Sequence, residues 1–367
     1  MKKKSVGKKI LIAVLVLLLV AAAAFLLKYR TRLKTMSSVA KLTSYEDGYD
    51  LYTMDIGYDY DLDAMLARGI TDNQSFIDTL LKEALPLLPV HMEAPSFGCS
   101  AFTMKTADGK VLMGRNYDFK LDTSSMMVYC HPKNGYKSIA FAALDNVNAN
   151  DALGSTASKF ACLLAPFVCL DGVNEKGVSI AVLTLDCEPT FQHTGKTVIA
   201  TTLAIRLVLD RAATSDEAVA LLAGYDMFAT SGRDYHFYIT DASGHGLVVE
   251  YDPLDEARPM IVTETNVITN YFGKYADLII PSQHNGIYGH GMERTNRILA
   301  VMDAHPDDAG REHAWEALEA SAQLPNPEDV TSNTQWSIVF ENTDPSAEIC
   351  LRRRYGETFS FRLADLG

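Results

Sequence analysis

Cys99 follows Gly98 in the stretch FGCSAFTMKTADGKVLMGRNYDF, residues 97–119, and Arg115 and Asp118 come sixteen and nineteen residues after it. A thiol, a guanidinium and a carboxylate could together carry nucleophilic chemistry. A thiol has a reference pKa of about 8.5 and is weakly ionised at neutral pH. A neighbouring arginine favours the reactive thiolate. If the Gly98–Cys99 bond is cut, Cys99 also gains an α-amine with a reference pKa of about 7.7–8.0. That amine is a general base within the nucleophile's own residue. Asp118 would hydrogen-bond and orient it, and Gly98, lacking a Cβ, lets the scissile peptide adopt a strained geometry. The competing reading is a small buried core residue, a common fate of cysteine.

The element that would assemble this trio is a hairpin. Asp108-Gly109 is a turn signal between two strand-like runs. A turn centred near 108 pairs positions whose numbers sum to about 216, so Cys99 faces residue 117 and both Arg115 and Asp118 come within reach. Two more hairpins follow, FVCLDGV–NEKG–VSIAVLTLD and YHFYITD–ASGHG–LVVEYDP. Between them TVIATTLAIRLVLDRA reads as a helix with Ile199, Leu203 and Leu207 on one stripe, and SDEAVALLAGY as a helix capped by Ser215. Helices are also expected within 61–90, where Pro86 and Pro89 close the stretch, and over 293–305 and 311–322. The C-terminus returns to strands in QWSIVFE, EICLRRRY and TFSFRL. Residues 36–60 are polar and tyrosine-rich, and read as a linker with docked segments. The pattern as a whole predicts an α+β domain of two sheets with helices outside.

Composition narrows the function. The chain has 367 residues and a net charge of −13, yet residues 1–35 carry nine Lys or Arg and no acid. The remainder is therefore −22 (−13 − 9), which excludes a nucleic-acid footprint. Residues 10–27 are eighteen uncharged apolar residues between basic flanks, long enough to span a membrane. They predict an N-terminal anchor with the body outside, or a cleaved signal peptide, for which AAAA offers small residues. Six cysteines, at 99, 130, 162, 169, 187 and 350, form no CxxC pair or disulfide framework, and those of FACLLAPFVCL read as core. No metal signature is present: His284 and His290 sit in a glycine-rich loop without acidic clustering.

The string GCSAFTMKTADGKVLMGRNYDF resembles the choloylglycine hydrolase, or linear amide C–N hydrolase, family, which includes bile salt hydrolases, penicillin V acylases and acid ceramidase. The likeness continues through DGVNEKGVSIAVL, ITDASGHGLVVEY, VITNYF, MERTNR and TQWSIVFE, over about residues 98–365. It implies the Ntn-hydrolase αββα four-layer sandwich, preceded here by the N-terminal transmembrane helix. It implies Cys99 as nucleophile with its α-amine as base, Arg115 beside the thiol, Asp118 as acceptor for the amine, and Asn270 as an oxyanion-hole amide donor. Arg294 is implied as a second active-site arginine, with Arg297 the competing assignment. The sequence departs from bile salt hydrolases in placing Thr184 where they have an asparagine. It also requires cleavage at Gly98–Cys99, as in acid ceramidase, rather than removal of an initiator methionine alone.

The resulting expectation divides the chain into an anchor or signal (1–35), a linker and helical propeptide-like segment (36–98) and a catalytic domain (99–367). The reaction expected is hydrolysis of a linear amide of an N-acyl substrate without cofactor or metal. Acyl transfer on the same fold is one alternative. An unprocessed, inactive surface-binding module is another. Tyr117, Phe119, Met126, Met127 and Trp336 are apolar candidates for an acyl site. Partners expected are a small N-acyl amide (bile salt, penicillin V, N-acyl amino acid or lipid amide), the membrane along residues 10–27 and, as an option, further copies of the chain.

Overall fold

The computed structural model describes residues 3–86, 98–281, 283, 286, 288–329 and 331–367. Pro89, His284 and residues 93–97 lie outside the described residues.

A long helix, α1 (Lys3–Ser37), opens the chain and leads into β1 (Ala40–Lys41), β2 (Leu51–Ile56), α2 (Leu62–Leu66) and α3 (Asn73–Ala84). Then come β3 (Gly98–Lys105), β4 (Val111–Asp118), β5 (Ser125–Cys130), β6 (Ser138–Ala143) and α4 (Thr156–Ala161). β7 (Cys169–Asn174), β8 (Ser179–Leu185) and β9 (Val198–Ala200) precede α5 (Thr201–Arg211) and α6 (Ser215–Ala223). β10 (Asp226–Phe228), β11 (Asp234–Thr240), β12 (Leu247–Tyr251), β13 (Met260–Glu264), β14 (Val267–Ile268), β15 (Asn270–Tyr271) and β16 (Gly289–His290) follow. The chain closes with α7 (Met292–Ala304), α8 (Arg311–Ser321), β17 (Thr334–Glu341), β18 (Ser346–Leu351) and β19 (Phe359–Arg362).

The strands build two main sheets. One has nine strands in the order β1-β2-β5-β6-β7-β8-β11-β12-β13, and the other six in the order β14-β3-β4-β17-β18-β19. α5 packs on β7 and β8 of the first sheet, α7 and α8 pack on β3, β4, β14 and β17 of the second, and β3 lies against β8 where the sheets face. Both faces of β4 are therefore covered, and all eight of its residues are buried. Ala101, Met113, Tyr117 and Trp336 belong to the core shared with the nine-stranded sheet, and Phe102, Met104, Leu112 and Val339 to the smaller one beneath α7 and α8. Period-two alternation is what divides them. Gly114 stands opposite Phe102, whose ring lies where a Cβ would project, 2.1 Å away.

All three hairpins read from the sequence are present. In the first, Cys99 pairs with Tyr117 and Gly98 with Asp118, the register expected from a turn near 108, and Gly109 supplies φ +85° there. Residues 36–60, read as a linker with docked segments, dock through β2, which runs parallel to β5 over six paired positions from Leu51↔Ser125 to Ile56↔Cys130. Two expectations are corrected. Ile199 does not belong to the helical stripe, because Val198–Ala200 is a short strand paired with β10 and α5 begins at Thr201. Thr214, not Ser215, caps α6, its hydroxyl accepting from Glu217 N at 3.1 Å.

Candidate active site

β3 and β4 bring the predicted trio together. Cys99 is fully buried, and its Sγ lies 3.1 Å from Val182 O on β8. Arg115 reaches the same carbonyl, with Nη2 at 3.1 Å, so thiol and guanidinium share one acceptor. On its other side Arg115 Nε is ion-paired with Asp171 Oδ2 at 2.7 Å, both side chains being fully buried. Trp336 Nε1 donates to that carboxylate oxygen at 3.2 Å. Burying a charge is tolerable only with such compensation. Burial raises Asp171 to about 6 although Arg115 pulls the other way. Burial pushes the Cys99 thiol up to about 12, Arg115 opposing and Asp118 adding to the rise. With the chain continuous through Gly98, the thiol is thus held protonated.

The far side of Cys99 is built by β15 and α7. Arg294 is fully buried at the start of α7 and donates from Nη1 to Cys99 O at 2.8 Å and from Nη2 to Asn270 Oδ1 at 2.7 Å. Arg294 Nη1 also lies 3.6 Å from Asp118 Oδ2, and Asp118 Oδ1 accepts from Thr334 Oγ1 at 2.6 Å. Burial raises the Asp118 pKa, with Arg294 opposing. Arg297 is exposed on the outer face of α7, so geometry separates the two candidate arginines.

Neither Asn270 nor Thr184 turns a side-chain donor toward Cys99. Asn270 Oδ1, not its amide nitrogen, faces Cys99, accepting from Cys99 N at 3.3 Å, while Nδ2 donates to Thr184 O at 2.8 Å. Two donors meet at Oδ1, which sets the orientation of the amide. Thr184 directs its hydroxyl to Asp234 O at 3.4 Å and contributes its backbone carbonyl to the site. Tyr117 and Trp336 are fully buried, their rings tilted by 35° with centroids 4.1 Å apart, and Tyr117 is the cross-strand partner of Cys99. Phe119, Met126 and Met127 are buried as well.

Sequence reasoning missed Asp171 and Thr334. Asp171 had a signal, since it is the one charge inside the apolar run CLDGV, where a buried carboxylate needs a cationic partner. Thr334 had none.

Comparisons with known proteins bear on this geometry. Residues 99–271 match the family described as linear amide C–N hydrolases, choloylglycine hydrolase family. Similar solved structures include a cysteine-to-alanine mutant of the conjugated bile acid hydrolase from Clostridium perfringens, with TM-score 0.56, 15% identity, and coverage of 73% of this chain and 93% of that one. An arginine-to-leucine variant of the same hydrolase has TM-score 0.56, 15% identity, and coverage of 73% and 94%. Penicillin V acylase from Agrobacterium tumefaciens has TM-score 0.54, 16% identity, and coverage of 73% and 87%. At these identities the structures establish a shared α+β fold. The cysteine and arginine substituted in the clostridial protein lie sixteen residues apart, the spacing of Cys99 and Arg115. The family match starts on Cys99, runs through all three hairpins and ends just past Asn270, and together with the shared fold it supports a linear amide C–N hydrolase.

Proposed function

We propose that the chain matures by cleavage of the Gly98–Cys99 bond and then hydrolyses a linear amide of an N-acyl substrate with Cys99 as N-terminal nucleophile. The observation that carries this reading is the surroundings of Cys99 N. The nitrogen that cleavage would turn into an amine already donates to Asn270 Oδ1, while Arg294 holds Cys99 O and Arg115 stands beside the thiol. In the cleavage, Sγ adds to the Gly98 carbonyl and the C–N bond breaks. The proton leaving the thiol ends on the Cys99 nitrogen, and water hydrolyses the thioester to a Gly98 carboxylate. In turnover the free α-amine takes the thiol proton, Sγ attacks the substrate carbonyl and the proton passes to the leaving amine. Water then releases the acyl group. Asp118 and Asn270 orient the amine, and Arg115 steadies the thiolate. Stabilising the tetrahedral oxyanion requires Asn270 Nδ2 to turn from Thr184 O toward the site once the backbone ahead of Cys99 has left.

In this reading the fold is the Ntn-hydrolase αββα sandwich and residues 99–367 are the catalytic domain. Residues 8–27 have the length and composition of a membrane span. They would anchor the chain with the catalytic domain on the extracytoplasmic side. Residues 38–86 would remain on the enzyme after cleavage, since β2 is paired along its whole length inside the large sheet.

The test is intact mass together with turnover. A chain beginning at Cys99 is expected in active preparations, and Cys99→Ala should leave the chain uncut and lower amidase activity by at least about a thousandfold. An active enzyme still continuous through residue 98 would sink the proposal.

A further inference from the structure

A buried ionisable pair beside the site has no role in the chemistry proposed above. His236 on β11 and Glu250 on β12 are both fully buried, and His236 Nδ1 lies 3.6 Å from Glu250 Oε2. Tyr238, two residues on from His236, donates to Thr103 Oγ1 of β3. Side chains two apart on a strand share a face, so His236 also points toward the six-stranded sheet. Burying such groups is costly unless their polar atoms find partners. The hydrogen-bond partners of this pair lie in one short stretch, Thr269 to Lys274, which carries Asn270.

His236 Nε2 lies 2.9 Å from Thr269 O. A carbonyl oxygen only accepts, so Nε2 carries the proton and donates. His236 Nδ1 makes no hydrogen bond among the described residues, so the directed bond of the imidazole goes to Thr269. Glu250 Oε2 accepts from Gly273 N and Oε1 from Lys274 N, each at 2.9 Å. The need for such a clamp is local. The chain leaves the β3 ladder after Ile268, which pairs with Ala101, and joins β16 at Asn270, which pairs with His290. Thr269 falls at the crossing. Its carbonyl belongs to the rigid peptide plane that ends in Asn270 N, so a bond to that oxygen helps fix the direction in which the Asn270 side chain leaves. Thr269 Oγ1 meanwhile donates to Gly291 O at 2.9 Å, at the start of the helix that carries Arg294.

We infer that His236 and Glu250 are positioning residues, which clamp both ends of the stretch from Thr269 to Lys274 and hold the Asn270 backbone still while its side chain turns from Thr184 O toward the oxyanion. This inference rests on the amide-hydrolase reading. An oxyanion donor is effective only at about 2.7–3.1 Å from the oxygen, and the charge there develops only in the transition state. A slackened clamp therefore lowers kcat and leaves KM nearly unchanged.

The experiment replaces His236 by Phe, which fills the space without a donor, and by Gln, whose Nε2 takes the place of the imidazole Nε2. Both kcat and KM are read on mature enzyme well below Tm, with whichever of glycocholate, penicillin V, N-dodecanoylglycine and N-dodecanoylethanolamine the wild type hydrolyses fastest. His236→Phe is expected to lower kcat at least about tenfold with KM within about twofold, and His236→Gln to keep kcat within about threefold of the wild type. A His236→Phe chain that melts cooperatively but stays uncut, beside a cut His236→Gln chain, supports the clamp equally, because the proposed cleavage uses the same Asn270. Unchanged kcat in His236→Phe, equal losses in both variants, or a change in KM alone overturns the inference and leaves the amidase reading intact. If His236→Phe does not fold, Glu250→Gln decides. It keeps one acceptor and turns an NH₂ donor on the other N–H, so kcat should fall at least about fivefold at unchanged KM, and an unchanged kcat overturns the inference. If the wild type hydrolyses none of these substrates, the amidase reading fails and this inference with it.

Discussion

Residues 38–86 and residues 99–367 lie on opposite sides of the Gly98–Cys99 bond, and they are built in different ways. The later part grows from local hairpins, each strand of a pair reached through a short turn. The earlier part is tied to the later one by long-range pairing. Its longer strand, β2, finds its main partner in β5, more than seventy residues ahead, and pairs with it in parallel. Leu51, Met54 and Ile56 enter the same core as Phe141 and Val182. Asp50 accepts from Thr43 Oγ1 and Tyr45 N at 2.8 Å, donates its own N–H to Ser124 Oγ at 3.0 Å and is ion-paired with Lys41. Under the proposed cleavage, the earlier segment would be cut from the chain and still remain part of its core, so that the cut would change the nucleophile and not the fold.

The largest expected effect comes from removing the earlier region. A chain starting at residue 99 should fail to give a soluble, cooperatively melting domain. Three buried side chains at roughly 1.5–3 kcal/mol each, plus an exposed parallel edge at β5, rival a typical folding margin of about 5–15 kcal/mol. Removing only residues 1–28 should spare the fold, since residues 8–27 are unburied in the span. Circular dichroism and a thermal melt separate the cases, and a well-folded 99–367 domain would break the comparison.

Next is the reactivity of the bond's own residue on either side of cleavage. With the thiol raised to about 12, on the order of one Cys99 in ten thousand is thiolate at pH 8 in the uncut chain. The folded thiol is therefore the protonated form at any pH below about 12. Iodoacetamide labelling of Cys99, read by peptide mass, should be at least about a hundredfold slower in uncut protein than in mature protein. Equal rates would mean that the buried arrangement around Cys99 is not a protected precursor.

The two regions were unequally legible for the same physical reason. The register that sets Cys99 opposite Tyr117 follows from one turn at Asp108-Gly109, so it could be counted from the sequence. The hairpins through Asn174 and Gly244 carry similar local turn chemistry, and α7 and α8 show helical periodicity. β2 could not be read, because a parallel partner beyond a helical segment and a hairpin leaves no local signal. Asp171 and Thr334 meet Arg115 and Asp118 only after distant strands pack, and spacing says nothing of that. The orientation of Asn270 is a further step removed, being set by Arg294 and Thr184 together. Resemblance named Asn270, but only the packed site shows which end of its amide faces Cys99.

The smallest predicted effect tests how the candidate span is joined to the body. α1 continues past residue 27, and its last turns pack on α3. Arg32 donates from Nε to Ala84 O at 2.7 Å and from Nη2 to Glu83 O at 2.6 Å, and Tyr29 hydrogen-bonds to Pro86 O. These are carbonyls that the end of a helix leaves unpaired, so α1 serves as the C-terminal cap of α3. Arg32 also lies 4.9 Å from the centre of the Tyr58 ring, just beyond β2. Arg32→Ala should therefore cost about 2 kcal/mol, within the range for hydrogen bonds to a charged donor at a half-buried site, and lower Tm by several degrees. Arg32→Lys should recover only part, because a point charge cannot span two adjacent carbonyls as the planar fork does. In cleaved protein the same substitution should raise the share of the 1–98 piece that separates on gel filtration in mild denaturant. If Arg32→Ala changes neither Tm nor that share, the junction contributes nothing. The β2–β5 ladder would then alone keep the earlier region, and with it the candidate anchor, on the enzyme.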